Sequence, residues 1–237
     1  MIFSPTYYRD GDICEQCEML SLISDDGIEL EGVMYEPSNA SNTILFFVGR
    51  SNDAVGFIGK LSQAYPKSRI ITFNYRSYGK SQGRASEKNL LSDALEIATF
   101  VEKKYDEFYL VGFSIGSNVA AYVASNRNVK ALFLLGAFDS IASLARSKFV
   151  DRSFFPMINL SKLFRYQFRT ANYVKEVKAD TYLFVSKDDE TTYIQNARDL
   201  KDSVKNLVYY KEFENLSHKE LLCFDTVVEK INEVIDV

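Results

Sequence analysis

The 237-residue chain reads as an α/β domain: a mainly parallel central sheet with helices on both faces and an antiparallel hairpin at its N-terminal end. Three observations predict this. Short apolar runs bounded by polar turns recur along most of the chain, stretches of helical periodicity separate them, and the first two runs are joined instead by a tight Asp-Gly turn. Apolar strands alternating with amphipathic helices bury both sheet faces, the condition under which parallel pairing is found. The length supports one core, so residues 1–237 are read as a single domain.

Taken in order, MLSLIS (19–24), the Asp25-Asp26-Gly27 turn and IELEGVMY (28–35) form the hairpin. TILFFV (43–48) is a buried strand, after which Phe57, Ile58, Leu61, Ala64 and Tyr65 fall on one helical face. RIITF (69–73) is the next strand. A polar, glycine-bearing loop leads to a helix around 86–104, with Leu90, Leu91, Ala94, Ile97, Ala98 and Val101 turned inward. FYLVGF (108–113) is a strand, and a small-residue helix spans about 115–125. VKALFLLG (129–136), TYLFV (181–185) and LVYYKEF (207–213) complete the strands, and a helix from about 218 closes the chain. Ligands of such sheets bind at the carboxyl ends of the strands, so residues directly after strands carry the functional question.

Residues 137–179 break the alternation. The segment has no clear strand and is rich in aromatics such as Phe138, Phe154, Phe155 and Phe164 and in bases such as Arg146, Arg152, Lys162 and Arg165. It is too long for an ordinary connection and reads as a helical cap inserted over the strand ends. Its aromatics could line an acyl pocket and its bases attract an anionic group; the plainer reading is an amphipathic lid whose charges face water.

Composition narrows the function classes. The net charge of −4 argues against nucleic acid as a partner. No apolar run approaches the roughly 20 residues of a membrane span. The opening MIFSPTYYRDGD has no basic segment followed by an apolar core, so a cytoplasmic protein without a secretory signal is expected. The odd count of three cysteines points to a reducing compartment. Cys14-Glu-Gln-Cys17 has the spacing of half a zinc site or of a redox motif, but without a second Cys pair it reads as structural or incidental. No cofactor and no metal are called for.

Gly112-Phe113-Ser114-Ile115-Gly116 places one serine between two glycines where a buried strand becomes a helix. A sharp strand-to-helix turn strains the residue at its tip, and small neighbours let the turn clear adjacent strands and lift the serine oxygen above the sheet edge. The N–H of Ile115, at the helix start, then points toward an anion bound beside that oxygen. Ser114 is therefore a candidate nucleophile, and a serine hydroxyl needs a base. His218 is the chain's single histidine. It lies between the last strand and the last helix, where Ser217 and Glu220 form an S-x-x-E capping box that puts it at the first helical position. The acid that orients the imidazole is sought after TYLFV, in Ser186-Lys187-Asp188-Asp189-Glu190. Asp189 is the first choice; Asp188 and Asp139 remain alternatives. In the turn Gly49-Arg50-Ser51-Asn52, the N–H of Arg50 is the candidate second donor to an oxyanion.

Serine, aspartate and histidine in that chain order, on alternating strands and helices, resemble the α/β-hydrolase superfamily. Asn74-Tyr75-Arg76-Ser77-Tyr78-Gly79-Lys80-Ser81-Gln82-Gly83 is similar to the D-Y-R-G-Y-G-x-S-x-G loop of its small serine hydrolases of the ABHD and S33 types. The resemblance implies an α/β-hydrolase fold, Ser114 as nucleophile, His218 as base, Asp189 as acid, and Arg50 and Ile115 as oxyanion donors. Val48 stands where the superfamily carries the histidine of a His-Gly pair, and Ser186 where glycine is common. The expected activity is hydrolysis of a small carboxylic ester or thioester substrate, neutral or anionic. A catalytically inactive binding protein of the same fold and an acyltransferase are the other readings. A dehalogenase is excluded, because it needs a carboxylate where Ser114 stands.

Overall fold

Residues 3–7, 13–14, 16–149 and 164–236 are described by a computed structural model. The hairpin predicted from the Asp-Gly turn is β1 (Cys17–Ile23) and β2 (Glu29–Tyr35), paired antiparallel. The buried apolar runs follow as β3 (Asn42–Phe47), β4 (Ser68–Phe73), β5 (Tyr109–Phe113), β6 (Ala131–Leu135), β7 (Asp180–Ser186) and β8 (Leu207–Phe213). They join in one sheet of order β1-β2-β4-β3-β5-β6-β7-β8, in which β2 meets β4 antiparallel and every later pair is parallel. The middle strands are buried end to end, as a sheet covered on both sides requires.

The crossovers are α1 (Ala54–Ala64), α2 (Glu87–Tyr105) and α3 (Ile115–Asn126), each near its predicted span. Asp53 caps α1 by accepting from the Gly56 N–H at 3.0 Å, and Ser86 caps α2 by accepting from the Asn89 N–H at 3.2 Å. In the 137–179 segment, α4 (Ile141–Phe149) and the short α5 (Thr170–Tyr173) are helical. Arg152, Phe154, Phe155 and Lys162 lie outside the described residues. Among the described bases, Arg165 stacks over the Tyr166 ring at 5.4 Å.

Two local expectations are corrected. The closing helix does not start near 218: Glu220–Cys223 forms a 3-10 helix, and α7 runs Asp225–Ile235. A helix absent from the sequence reading, α6 (Ile194–Lys201), follows β7. Cys14 and Cys17 form a disulfide, a pairing the odd cysteine count did not predict, and Cys223 is free. No helix of the described residues is long and apolar enough to cross a membrane.

The topology fixes where a site can form. β3 and β5 lie side by side and their crossovers depart in opposite directions along the sheet, so the loops after them open a crevice at their carboxyl ends. The loops after β6, β7 and β8 leave the same rim: Gly136 N–H donates to Phe184 O at 2.9 Å and Lys187 N–H to Phe213 O at 2.9 Å.

Candidate active site

At the end of β5 the chain turns through Ser114 with φ 56° and ψ −121°. A non-glycine residue held in so sparsely populated a region stores about 1–3 kcal/mol, which the surroundings must override. They do so with hydrogen bonds. The Ser114 N–H donates to Leu135 O at 2.8 Å, and the Ser117 hydroxyl donates to Gly112 O at 2.7 Å. The flanking glycines are steric necessities. A Cβ on Gly116 would fall onto the Phe47 carbonyl, and one on Gly112 would come within 2.5 Å of the Gly116 carbonyl oxygen. Any larger residue would lift α3 away from β3 and β5. The Ser114 side chain does not cap α3, which leaves its oxygen uncommitted to the helix.

His218 follows β8 and is buried. Its ring lies 4.8 Å from the ring of Phe113, the residue before Ser114, and a Cβ on Gly136 would stand 3.1 Å from its Cε1. The imidazole thus fills a slot between the ends of β5 and β6, beside the serine turn. Its Nδ1 is 2.6 Å from Asp189 Oδ2. A carboxylate only accepts, so Nδ1 donates to it, and in the neutral form of the ring the lone pair then falls on Nε2. Asp189 is buried and fully engaged. Oδ1 accepts from the Thr191 and Thr192 N–H groups at 2.7 and 2.6 Å, and Oδ2 also accepts from the Thr192 hydroxyl at 2.6 Å. Burial alone pushes this carboxyl up; the hydrogen bond and charge of His218 and the bonds from Thr192 outweigh it and hold it below its ordinary value.

The neighbouring acids are placed elsewhere. Asp188 Oδ2 accepts from the Asn215 N–H at 2.6 Å, and Glu190 Oε2 from the His218 N–H at 3.2 Å. Asp139 accepts from the Asn196 side chain at 3.1 Å, and its burial pushes the carboxyl up. Ser186 donates to Leu216 O at 2.5 Å. The structure therefore brings Asp189 and His218 into direct contact and places Ser114 directly after Phe113, whose ring packs on His218, with no Ser114–His218 hydrogen bond among the described residues.

The capping box forms in part. Glu220 Oε2 accepts from the Ser217 N–H at 2.8 Å, but the Ser217 hydroxyl donates to the same oxygen instead of capping a helix.

The two expected oxyanion donors lie in the turns that follow β5 and β3. Ile115 N–H opens α3 and has no partner within the helix. Arg50 lies in the turn after β3, where the Asn52 N–H donates to Gly49 O at 3.2 Å. Two tyrosines of the 74–83 loop pin this turn from behind: the Tyr75 hydroxyl donates to Val48 O at 2.7 Å and the Tyr78 hydroxyl to Arg50 O at 2.6 Å. That loop is in turn anchored by buried Arg76, which donates to Asp93 at 2.9 Å and to Asp26 at 2.7 Å. Sequence reading missed the roles of Thr192, Glu190, Tyr75 and Tyr78. Only the resemblance of the tyrosine-bearing loop to a known motif signalled any of them. Among the described residues, no three His, Cys, Asp or Glu side chains converge as a metal-binding group.

Comparison with known proteins bears on the fold. A family model for the α/β-hydrolase fold matches residues 42–154, from β3 through the serine turn and beyond β6. The esterase Pf2001 of Pyrococcus furiosus superposes with a TM-score of 0.74 at 15% identity, covering 100% of this chain and 98% of that one. The chain has the α/β-hydrolase fold. An esterase from Exiguobacterium antarcticum shares the α/β-hydrolase architecture with it at a TM-score of 0.68 and 17% identity, over 93% of this chain and 100% of that one. In sequence, the chain is 32% identical over 116 residues to the uncharacterized membrane protein YNL320W of Saccharomyces cerevisiae, covering 46% of this chain and 40% of that protein. It is 26% identical over 165 residues to the uncharacterized protein YfhR of Salmonella typhi, covering 59% and 56%. The chain thus spans about half the length of the curated relatives it matches.

Proposed function

We propose that the protein is a serine hydrolase that cleaves small carboxylic esters or thioesters through an acyl-enzyme. The observation that carries this reading is the 2.6 Å contact between Asp189 and His218, in a slot walled by the residue preceding the strained Ser114. Ser114 Oγ attacks the substrate carbonyl while His218 Nε2 takes its proton, and the imidazolium is stabilised by Asp189. The tetrahedral oxyanion is met by the N–H groups of Ile115 and Arg50. His218 then protonates the leaving alcohol or thiol. Water, deprotonated by the same nitrogen, releases the acid and restores Ser114. Esterase neighbours of the same architecture support hydrolysis.

The absence of a Ser114–His218 hydrogen bond favours a second reading, a ligand-binding member of the fold without turnover. Catalytic hydrogen bonds often tighten only with substrate bound, so the first reading takes precedence. A fluorophosphonate probe should label the wild type and not Ser114→Ala. A panel of p-nitrophenyl esters and acyl thioesters should be turned over only by the wild type. Equal labelling of both proteins, or no turnover across the panel with an unreactive Ser114, refutes the assignment.

A further inference from the structure

A cleft of about 760 Å³ opens between α1 and the stretch running from the 3-10 helix into α7. Phe113, whose ring backs His218, forms part of its wall, as do Ser51 and Asn52 of the loop after β3. The cleft therefore adjoins the proposed reaction centre. Phe57 and Leu222 give it apolar surface, and Lys60, Lys219, Glu220 and Asp225 bring charge to it.

The four charges are not equivalent. Glu220 is engaged by the N–H and hydroxyl of Ser217, which hold its carboxyl below the ordinary value. Asp225 stands in the first turn of α7, where its charge complements the helix N-terminus. Lys60 and Lys219 form no ion pair with any carboxylate among the described residues; the Lys60 ammonium lies 5.5 Å from the Phe57 ring. Asp225 likewise has no ion-pair partner among them, so the charged cleft side chains without a hydrogen-bonded partner among the described residues are two cations and one carboxylate, and the Lys60 ammonium sits beside apolar surface.

We propose that this cleft receives one arm of the substrate, an apolar chain ending in an anionic group that Lys60 and Lys219 recognise. The proposal rests on the serine-hydrolase reading and names its substrate class: an ester or thioester with an anionic far end. Cys223 supplies a readout independent of turnover, because this free thiol is exposed on the cleft wall.

The test uses octanedioate mono-p-nitrophenyl ester and its neutral counterpart, p-nitrophenyl octanoate. With the wild type at low salt, the anionic ester should show a KM about 5-fold below the neutral one, the scale of two exposed charge contacts. In the Ser114→Ala protein at mildly alkaline pH, the anionic ester should slow maleimide alkylation of Cys223 by at least about 5-fold, the same contacts acting without chemistry. Lys60→Gln with Lys219→Gln should bring both ratios to near one. Equal KM values and unprotected Cys223 overturn the proposal while hydrolysis of either ester keeps the catalytic reading. Protection without turnover of either ester refutes the catalytic reading and retains the cleft as an anion-recognising site.

Discussion

Replacing Gly136 by alanine tests whether the slot holding His218 determines activity. Gly136 has φ 56°, and an added Cβ would lie 3.1 Å from His218 Cε1, 3.3 Å from Nδ1 and 3.6 Å from Asp189 Oδ2. Alanine in left-handed backbone costs about 1–2 kcal/mol. A comfortable carbon contact is about 3.5–4.0 Å, so the ring must also retreat by roughly half an ångström. A stability loss of about 2–3 kcal/mol follows, and a Tm fall of roughly 5–10 °C for a chain of this size. A misplacement of about 1 Å costs on the order of 100-fold in rate, so half of it predicts a kcat loss of about 10-fold with KM little changed. Gly27→Ala is the control. It has φ 79° and nothing within 4 Å of the added atom, so it carries backbone strain without touching the site. The measurement is kcat and KM on p-nitrophenyl butyrate beside thermal unfolding of both variants. If Gly136→Ala lost stability but kept the control's kcat, the position of the imidazole between β5 and β6 would have no bearing on the chemistry.

Thr192→Val removes one hydrogen bond to Asp189 and the 3.4 Å contact of the same hydroxyl with His218 Nδ1, while the 2.6 Å Asp189–His218 contact remains; a bond to a charged acceptor is worth about 1.5–3 kcal/mol, part of it recovered from the remaining donors, so a kcat loss of about 3- to 10-fold without a KM change is expected. A carboxyl depressed in the folded state adds stability above its ordinary range and loses it as pH falls through the folded value, so the same variant should show a shallower acid-unfolding curve than the wild type. Asp139 has the opposite sign: burial raises it, so stability declines as pH rises from the ordinary 3.8 through the folded value, and Asp139→Asn should flatten that slope with kcat/KM intact. Asp189→Asn should lower kcat/KM by about 10³-fold or more, and the reverse ranking of the two variants would move the acid to the end of β6. Tyr78→Phe frees the carbonyl of Arg50, and a kcat loss of about 3- to 10-fold is expected if that turn donates to the oxyanion; an unchanged kcat removes Arg50 from the site.

The strands and most crossovers were legible because each is a local pattern: an apolar run, or one helical face repeated over several turns. α6 was not, since only Asn196, Ala197 and Leu200 of its eight residues are buried and its composition otherwise matches a solvated loop. The capping box at Ser217 was read as the start of the closing helix, with His218 at its first position, and this was wrong, because a side chain reaching back three residues reports one turn and says nothing about the next. Ser114 was legible for a different reason. The glycines at 112 and 116 are demanded by the approach of α3 to β3 and β5, so the sequence carries the steric signature of the turn itself. The tyrosines behind Arg50 left no comparable local trace: their hydroxyls bond carbonyls 27 and 28 residues away.

The choice among Asp188, Asp189 and Glu190 illustrates what decides a site built between loops. All five residues from Ser186 to Glu190 touch the segment 214–218: Ser186 at Leu216, Lys187 at Glu214, Asp188 at Asn215, and both Asp189 and Glu190 at His218. Such a meshing has a register, and a shift of one residue would offer the imidazole a different carboxylate. That register is inherited from the strands below, where Ser186 pairs with Phe213. It is not a simple continuation of the pairing lower down. Thr181 pairs with Leu207 but Tyr182 with Tyr209, so Val208 is an extra residue on β8, and it is exposed. Without that bulge, His218 would enter the rim about 3.3 Å out of step with β7, more than a hydrogen bond can absorb. A single unpaired valine some ten residues upstream therefore selects Asp189, and no motif spanning the acid loop alone could have read it.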